Sequence, residues 1–372
     1  MSRKSWPRAA SLVSVSALMS AALIATGCSN KSDNSSGSAP SSSKSSSSSG
    51  AAAGGDIQVK NGSAVKVALV PGGPHPYFQP WKAAGQQAAS AFNLGGMTFN
   101  ETSQWDQGKQ NNVLNSLAAQ GSNAFGIFGV SPADINSTFQ DLKSKGFAVA
   151  SLASCPAGSQ DDADFCLSTD VELAAYRAAK TAIEAMGGSG QLVHLTGNNT
   201  DSNTKRREAG VQKAVSETGG KVKLLQTITD IDVDLQSAQK AVGDLLAAHG
   251  KQIDGIVTTA YNPAVAAAEG VKKSGLPIKV VAIDDDPKIL SGIKDGSVTA
   301  TVAQNPYGQA YIGSWALALL QSKQCTMRTP GQVIDSGSFV ITKTNVDTYD
   351  QERQAKTKEL QKQFSTSVLN CS

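Results

Sequence analysis

Two hydrophobic periods alternate along this chain. From position 65 onward, apolar runs of strand length are each followed by stretches whose apolar residues recur every three or four positions. The first pattern fits a strand buried on both faces and the second an amphipathic helix. Residues 65–70 form the first strand. It breaks into Pro71-Gly72-Gly73-Pro74, and the helix behind this loop carries Trp81, Ala84, Ala88 and Phe92 on one face. A short strand at 97–100 and a helix with Val113, Leu114, Leu117 and Ala118 come next. A strand at 124–130 runs into Ser131-Pro132, a cap-and-start signal for a helix bearing Ile135, Phe139 and Leu142. Strands at 147–152 and 165–168 complete this half.

The second half repeats the plan. Helices are expected at 171–186 and 203–218, strands at 192–196 and 222–228, and a further helix through Leu235, Ala238, Val242 and Leu245. A strand at 255–260 meets Asn262-Pro263, and one at 279–283 ends in Asp284-Asp285-Asp286-Pro287. There Asp286 suits an N-cap and Pro287 a first helical turn. The last unit is a strand at 298–303, then Gln304-Asn305-Pro306 and a helix at 307–321. Regular alternation of this kind implies parallel strands joined by right-handed crossovers. Two such runs imply an α/β protein of two lobes, each a parallel sheet of five or six strands flanked by helices.

The leader changes the picture next. Arg3, Lys4 and Arg8 precede an apolar stretch that ends in Ala25-Thr26-Gly27-Cys28, the form of an export signal. The ending resembles the lipobox of bacterial lipoproteins, which implies cleavage before Cys28 and lipidation of its thiol. Residues 29–55 are almost wholly Ser, Gly, Ala and Asn, too polar to repay the entropy of folding, and read as a flexible tether. Loss of Arg3, Lys4 and Arg8 with the leader cancels the formal charge of +3. A neutral chain without a basic run has no electrostatic footprint for nucleic acid. The expected divisions are a signal at 1–27, an anchor and tether at 28–63, a first lobe at 64–168 with 305–330, a second at 169–304 with 331–346, and a tail at 347–372.

Four cysteines remain besides Cys28, and an even number in an exported chain points to disulfides. Of the three possible pairings, Cys155–Cys166 would close a polar loop and Cys325–Cys371 would pin the tail; these two are the favoured pairs. No cysteine pair has metal-ligand spacing and the three histidines are scattered, so neither a metal nor a cofactor is expected.

The loop after the first strand offers an imidazole, His75, and two adjacent rings, Tyr77 and Phe78, as one wall of a ligand cleft. His75-Pro76-Tyr77-Phe78 stands where sugar-binding proteins of the ribose/galactose type have Asn-Pro-Phe-Phe. Ser131-Pro132-Ala133-Asp134 resembles their Pro-x-Asp turn, Lys205-Arg206-Arg207-Glu208-Ala209-Gly210 their Arg-x-Arg-x-x-Gly helix start, and Val281-Ala282-Ile283-Asp284 their Gly-Phe-Asp. Asn262 follows the strand that there ends near Asn-Asp. Asp295-Gly296 through Ala303-Gln304 resembles their Asp-Gly-x-x-x-Ala-x-x-x-Gln run. In this order the motifs cover about residues 64–345 and mark the chain as similar to type I periplasmic binding proteins.

The resemblance implies two hinged lobes closing over one small ligand, a monosaccharide or polyol, and delivery to an ABC importer permease. It implies a monomer at the outer face of the bacterial cell membrane, in the periplasm or cell envelope. Flat sugar faces call for aromatic rings, here Tyr77 and Phe78. Hydroxyls call for planar polar groups that exchange two hydrogen bonds at once, and Asp284, Asn262 and Gln304 each stand just beyond a parallel strand. Ser131 would add a hydroxyl, and the family's ligand-binding arginine falls on Lys205. Ala153-Ser154 stands in place of the family's Asp-Arg pair, and Ile283 in place of its stacking Phe, which argues against ribose itself.

Other classes fare worse. Gly187-Gly188-Ser189-Gly190 precedes a strand and so is no dinucleotide loop, and no Gly-x-Ser-x-Gly elbow exists. His194 in mid-strand and His249 at a helix end suit structural roles, so no enzyme is expected. A DNA-binding regulator would carry a helix-turn-helix where this chain has its leader. A sensor protein presenting a signalling molecule or nucleoside to a receptor is the alternative within the same fold.

Overall fold

A computed structural model describes residues 57–158 and 161–372. The leader, Cys28 and the serine-rich stretch lie outside the described residues. Among those described, no helix is long and apolar enough to cross a membrane.

In the first lobe β1 (Lys66–Val70), β2 (Gly96–Phe99), β3 (Ala124–Ile127), β4 (Ala148–Leu152) and β5 (Phe165–Ser168) alternate with α1 (Gln79–Ala91), α2 (Gln107–Ala119) and α3 (Ile135–Ser144). The chain then crosses to the second lobe. There α4 (Val171–Ala185), α5 (Ser202–Ser216), α6 (Leu235–His249), α7 (Tyr261–Ser274) and α8 (Pro287–Asp295) alternate with β6 (Gly190–Leu195), β7 (Val222–Ile228), β8 (Gly255–Thr258), β9 (Lys279–Ile283) and β10 (Ala300–Ala303). It returns with α9 (Pro306–Gln321), β11 (Cys325–Met327) and β12 (Gln332–Asp335), crosses once more to β13 (Phe339–Ile341), and finishes with α10 (Tyr349–Gln363) and β14 (Leu369–Cys371). Each lobe has a six-stranded sheet, ordered β12-β5-β4-β3-β1-β2 and β13-β10-β9-β8-β6-β7. Every pairing in them is parallel except β10 with β13. The strands read as unbroken apolar runs because helices cover both faces of each sheet.

Three boundaries differ from expectation. Gln332–Asp335 pairs in parallel with Phe165–Ser168, so the third crossing falls at Ser336–Ser338, residues 331–335 belong to the first lobe, and the chain crosses back after β13 to place its tail there. The first lobe also takes in residues before 64. The Ile57 carbonyl accepts from Trp315 Nε1 at 2.9 Å, and Ile57 and Val59 pack on the first lobe's core. The tail, finally, is core and not an external strap. Phe364 is fully buried, with its ring 5.3 Å from Phe165 and 6.5 Å from Trp315.

Both disulfides pair as favoured, Cys155–Cys166 and Cys325–Cys371, the second across the antiparallel pair β11 and β14. Gly210 explains one motif. A Cβ there would lie 2.2 Å from the Glu172 carbonyl oxygen, so only glycine lets α5 lie this close to α4.

Removing the Phe364 ring should expose its importance. Phe364→Ala is expected to cost about 3–5 kcal/mol, as for other large-to-small core changes, seen as a lower midpoint in urea unfolding. A loss below about 1 kcal/mol would mean that the tail only lies on the surface.

Candidate ligand cleft

The carboxyl ends of the two sheets face each other across one cavity of about 330 Å³. This is near the lower end of small-molecule pockets, roughly 300–1,000 Å³. Strand ends from both lobes line it, which is where ligands bind in open α/β sheets. A wider groove of about 750 Å³ lies outside the first lobe, between α9 and α10. It touches none of those strand ends and is not the cleft.

The first lobe supplies the aromatic wall. Phe78 is buried, and its ring centroid lies 5.2 Å from Tyr77, 5.2 Å from Phe128 and 6.3 Å from Trp105. Trp105 is 44% exposed and is held at the cavity by two consecutive left-handed residues, Gln104 and Trp105 itself. Such non-glycine conformations cost about 1–2 kcal/mol each, and they persist here because the indole packs on Gly72 and Gly73. A Cβ on either glycine would come within 2.8 Å of the indole. The Trp105 amide also donates to the Gly72 carbonyl at 2.7 Å. The Gly-Gly pair in the first loop therefore serves as a seat for a ring thirty residues away.

Tyr77 and His75 connect this wall to the rest of the molecule. The Tyr77 hydroxyl donates to Gln309 Oε1 at 3.0 Å, and Gln309 Nε2 in turn donates to Ser336 Oγ at 3.0 Å. Ser336 and Thr169, with hydroxyls 3.3 Å apart, stand on two of the lobe crossings. Burial, then the Asp284 charge, pushes the Tyr77 phenol far above its ordinary value. His75 Nδ1 accepts from the Tyr77 amide at 3.2 Å, which leaves the proton on Nε2. That nitrogen lies 3.4 Å from Asp232 Oδ2 on the other lobe. The contact is too poorly aligned to count as a hydrogen bond, so we treat it as electrostatic.

The second lobe supplies polar groups. Asp284 is 5% exposed, takes a left-handed backbone and accepts from Gln304 Nε2 at 2.8 Å through Oδ1. Burial raises its carboxyl from 3.8 to about 7, aided by Asp285 and opposed by Gln304, Arg207 and His75. Asp201, at the N-cap of α5, is likewise raised, chiefly by burial. Arg207 lines the cavity with its Nε buried and without a hydrogen-bond partner.

Of the residues named from sequence, His75, Tyr77, Phe78, Asp284 and Gln304 line this cavity together. Three do not. Ser131 lies beyond the rim and caps the following turn, donating to Asp134 Oδ2 at 2.6 Å. Lys205 is exposed. Asn262 sits behind the wall, its backbone amide donating to Asp232 Oδ1 at 2.8 Å and its Nδ2 to the Asp232 carbonyl at 3.1 Å. Tyr261, one residue earlier, takes the cavity position.

Trp105, Phe128, Asn203, Arg207 and Asp232 also line the cavity and are not among the site residues named from sequence. For Arg207 the signal was present. Asn203, Arg207, Gly210, Val211 and Ala214 repeat at helical spacing along α5, and Lys205 falls off that face. His194 is structural, as expected. It is buried, held 2.7 Å from Thr259 Oγ1, and pushed down to about 3 by burial.

Residues 67–324 match the periplasmic binding protein domain. The chain belongs to that family. The ribose import binding protein RbsB of Bacillus subtilis (strain 168) is 24% identical over 203 residues, which are 54% of this chain and 64% of that protein. The chain thus spans a little under two-thirds of that curated relative. A solute-binding protein from Burkholderia graminis, solved with D-arabinose, superposes with a TM-score of 0.71 at 23% identity, covering 78% of this chain and 99% of the other. One from Agrobacterium vitis, solved with α-D-tagatopyranose, gives 0.69 at 21% identity, covering 78% and 98%. At these identities the likeness speaks for the fold.

Asp284 gives a pH test. Between 3.8 and about 7 the folded protein keeps a proton that the unfolded chain has lost, so this group's contribution to stability falls as pH rises through that window. Asp284→Asn removes the penalty. The variant should be more stable than the wild type by about 1–4 kcal/mol at pH 8 and nearly equal at pH 4, in melting curves without ligand. The same difference at both pH values would contradict the assignment.

Proposed function

We propose that the protein captures one small sugar or polyol between its lobes and hands it to an ABC importer permease. It would do so as a lipid-anchored monomer outside the cell membrane, without catalysis. The observation that carries this is the pairing of unlike surfaces across one cavity. Phe78, Trp105 and Tyr77 offer apolar ring faces, while Asp284, Gln304, Asn203 and Arg207 face them with planar polar groups. A sugar has the matching pair of surfaces, with C–H faces to lie on rings and hydroxyls to exchange two bonds at a time. The unsatisfied Arg207 Nε supports the same reading, since a buried donor left unpaired is costly until something accepts from it.

Family membership supports the transport role, as do the sugars bound in the similar solved structures. Cys28 and the export leader support anchoring.

The test is a thermal-shift screen of the purified protein against monosaccharides and polyols, substituted forms included. A ligand at a hundred times its Kd should add about 2.7 kcal/mol. For that ligand, Arg207→Lys should weaken binding about tenfold or more, since a point charge replaces a planar fork. Lys205→Ala should leave it within about twofold. A flat response to every compound would count against the reading.

A further inference from the structure

The charges around the cavity do not balance. Four carboxylates line it, Asp201, Asp230, Asp232 and Asp284, against one guanidinium, Arg207. Asp230 is exposed at the rim and held by the Asn199 amide at 2.8 Å. Asp232 is engaged by the Asn262 amide and faces His75. Asp284 is the deepest. One oxygen accepts from Gln304, and its other oxygen accepts no hydrogen bond among the described residues. With all four carboxyls ionised, the excess remains negative even if His75 is counted as a cation beside Asp232.

A neutral ligand can donate hydroxyls to these carboxylates but cannot cancel their charge. Enclosing an excess of carboxylate in a closed cleft is costly unless a positive group arrives with the ligand. The upward displacement of Asp284 and Asp201 by burial shows that cost in the empty cleft. No cluster of three or more His, Cys, Asp or Glu among the described residues could hold a metal ion. The carboxylates are instead spread around the cavity, as suits an organic cation. The rings of Tyr77, Tyr261 and Trp105 line the same space, and aromatic faces attract ammonium groups.

We propose that the ligand carries a protonated amino group seated against Asp284, so that the preferred cargo is an amino sugar or amino polyol. This rests on the sugar-or-polyol reading and narrows it. An ammonium donor would make charge-assisted hydrogen bonds with the free carboxylate oxygen, about twice as strong as neutral ones. Gln304, on the carboxylate's other side, holds it in place.

Matched ligands test it by isothermal titration calorimetry on the purified protein. The pairs are 1-amino-1-deoxy-D-glucitol with D-glucitol, D-glucosamine with D-glucose, and D-galactosamine with D-galactose. In at least one pair the amine should bind about tenfold or more tightly than its neutral partner. Asp284→Asn, which keeps the size and the Gln304 contact, should cost that amine about tenfold and the neutral partner less than about threefold. The wild-type comparison stands without the variant, should the variant fold poorly. If neutral members bind as tightly as their amines wherever binding occurs, the amine proposal falls and the sugar reading survives. An amine advantage unchanged in Asp284→Asn also overturns it. If no member of any pair binds, the amine proposal falls, and the wider sugar and polyol screen decides the reading beneath it.

Discussion

Two parallel sheets can share one ligand only if their carboxyl edges are held face to face, and here three adjacent chain crossings hold them. Thr169, Gln304-Asn305 and Ser336 lie on these crossings, and Gln309 bridges two of them through its amide, donating to Ser336 Oγ and Thr169 Oγ1. Asn305 Nδ2 reaches the Ser336 carbonyl at 3.4 Å. All of these groups are buried, so each bond broken would strand a polar atom away from water. The hinge is therefore a specified structure. Tyr77 ends in it, so the aromatic wall and the hinge are one bonded unit.

Chemistry is divided by lobe. Loops after β1, β2 and β3 deliver rings, and loops after β6, β7, β9 and β10 deliver carboxylates and amides, while Tyr261 after β8 adds a ring from the second lobe. Closure brings the halves together through few direct contacts. His75 faces Asp232, and Asn203 Nδ2 donates to the Ala153 carbonyl at 3.1 Å. On the proposed function, contacts this sparse would leave the equilibrium between open and closed forms to be decided by what lies in the cavity. The excess of carboxylate acts in the same direction, opposing closure until something compensates it.

The sheets were legible in the sequence because burial on both faces leaves long apolar runs that little else produces. The cleft was legible wherever a side chain follows directly from a strand end, as with Asp284 and Gln304. It was misread where a helix had already begun. On α5 and α7 the helical period decides which residue faces inward, and counting along a motif chose Lys205 and Asn262 over Arg207 and Tyr261. Trp105 was obscure for another reason. Its position depends on a packing partner, Gly72-Gly73, far away in the chain. The tail's charged surface likewise concealed Phe364, whose burial depends on tertiary contacts with Phe165 and Trp315.

Tryptophan fluorescence tests the central claim most directly, because Trp81 and Trp315 are fully buried in the first lobe while Trp105 stands at the cleft, 44% exposed. Titration with a stabilising sugar or polyol should give a saturable blue shift that disappears in Trp105→Phe, although calorimetry still detects binding by that variant. Saturable binding heat with Trp105 emission unmoved would place the ligand elsewhere and contradict the account.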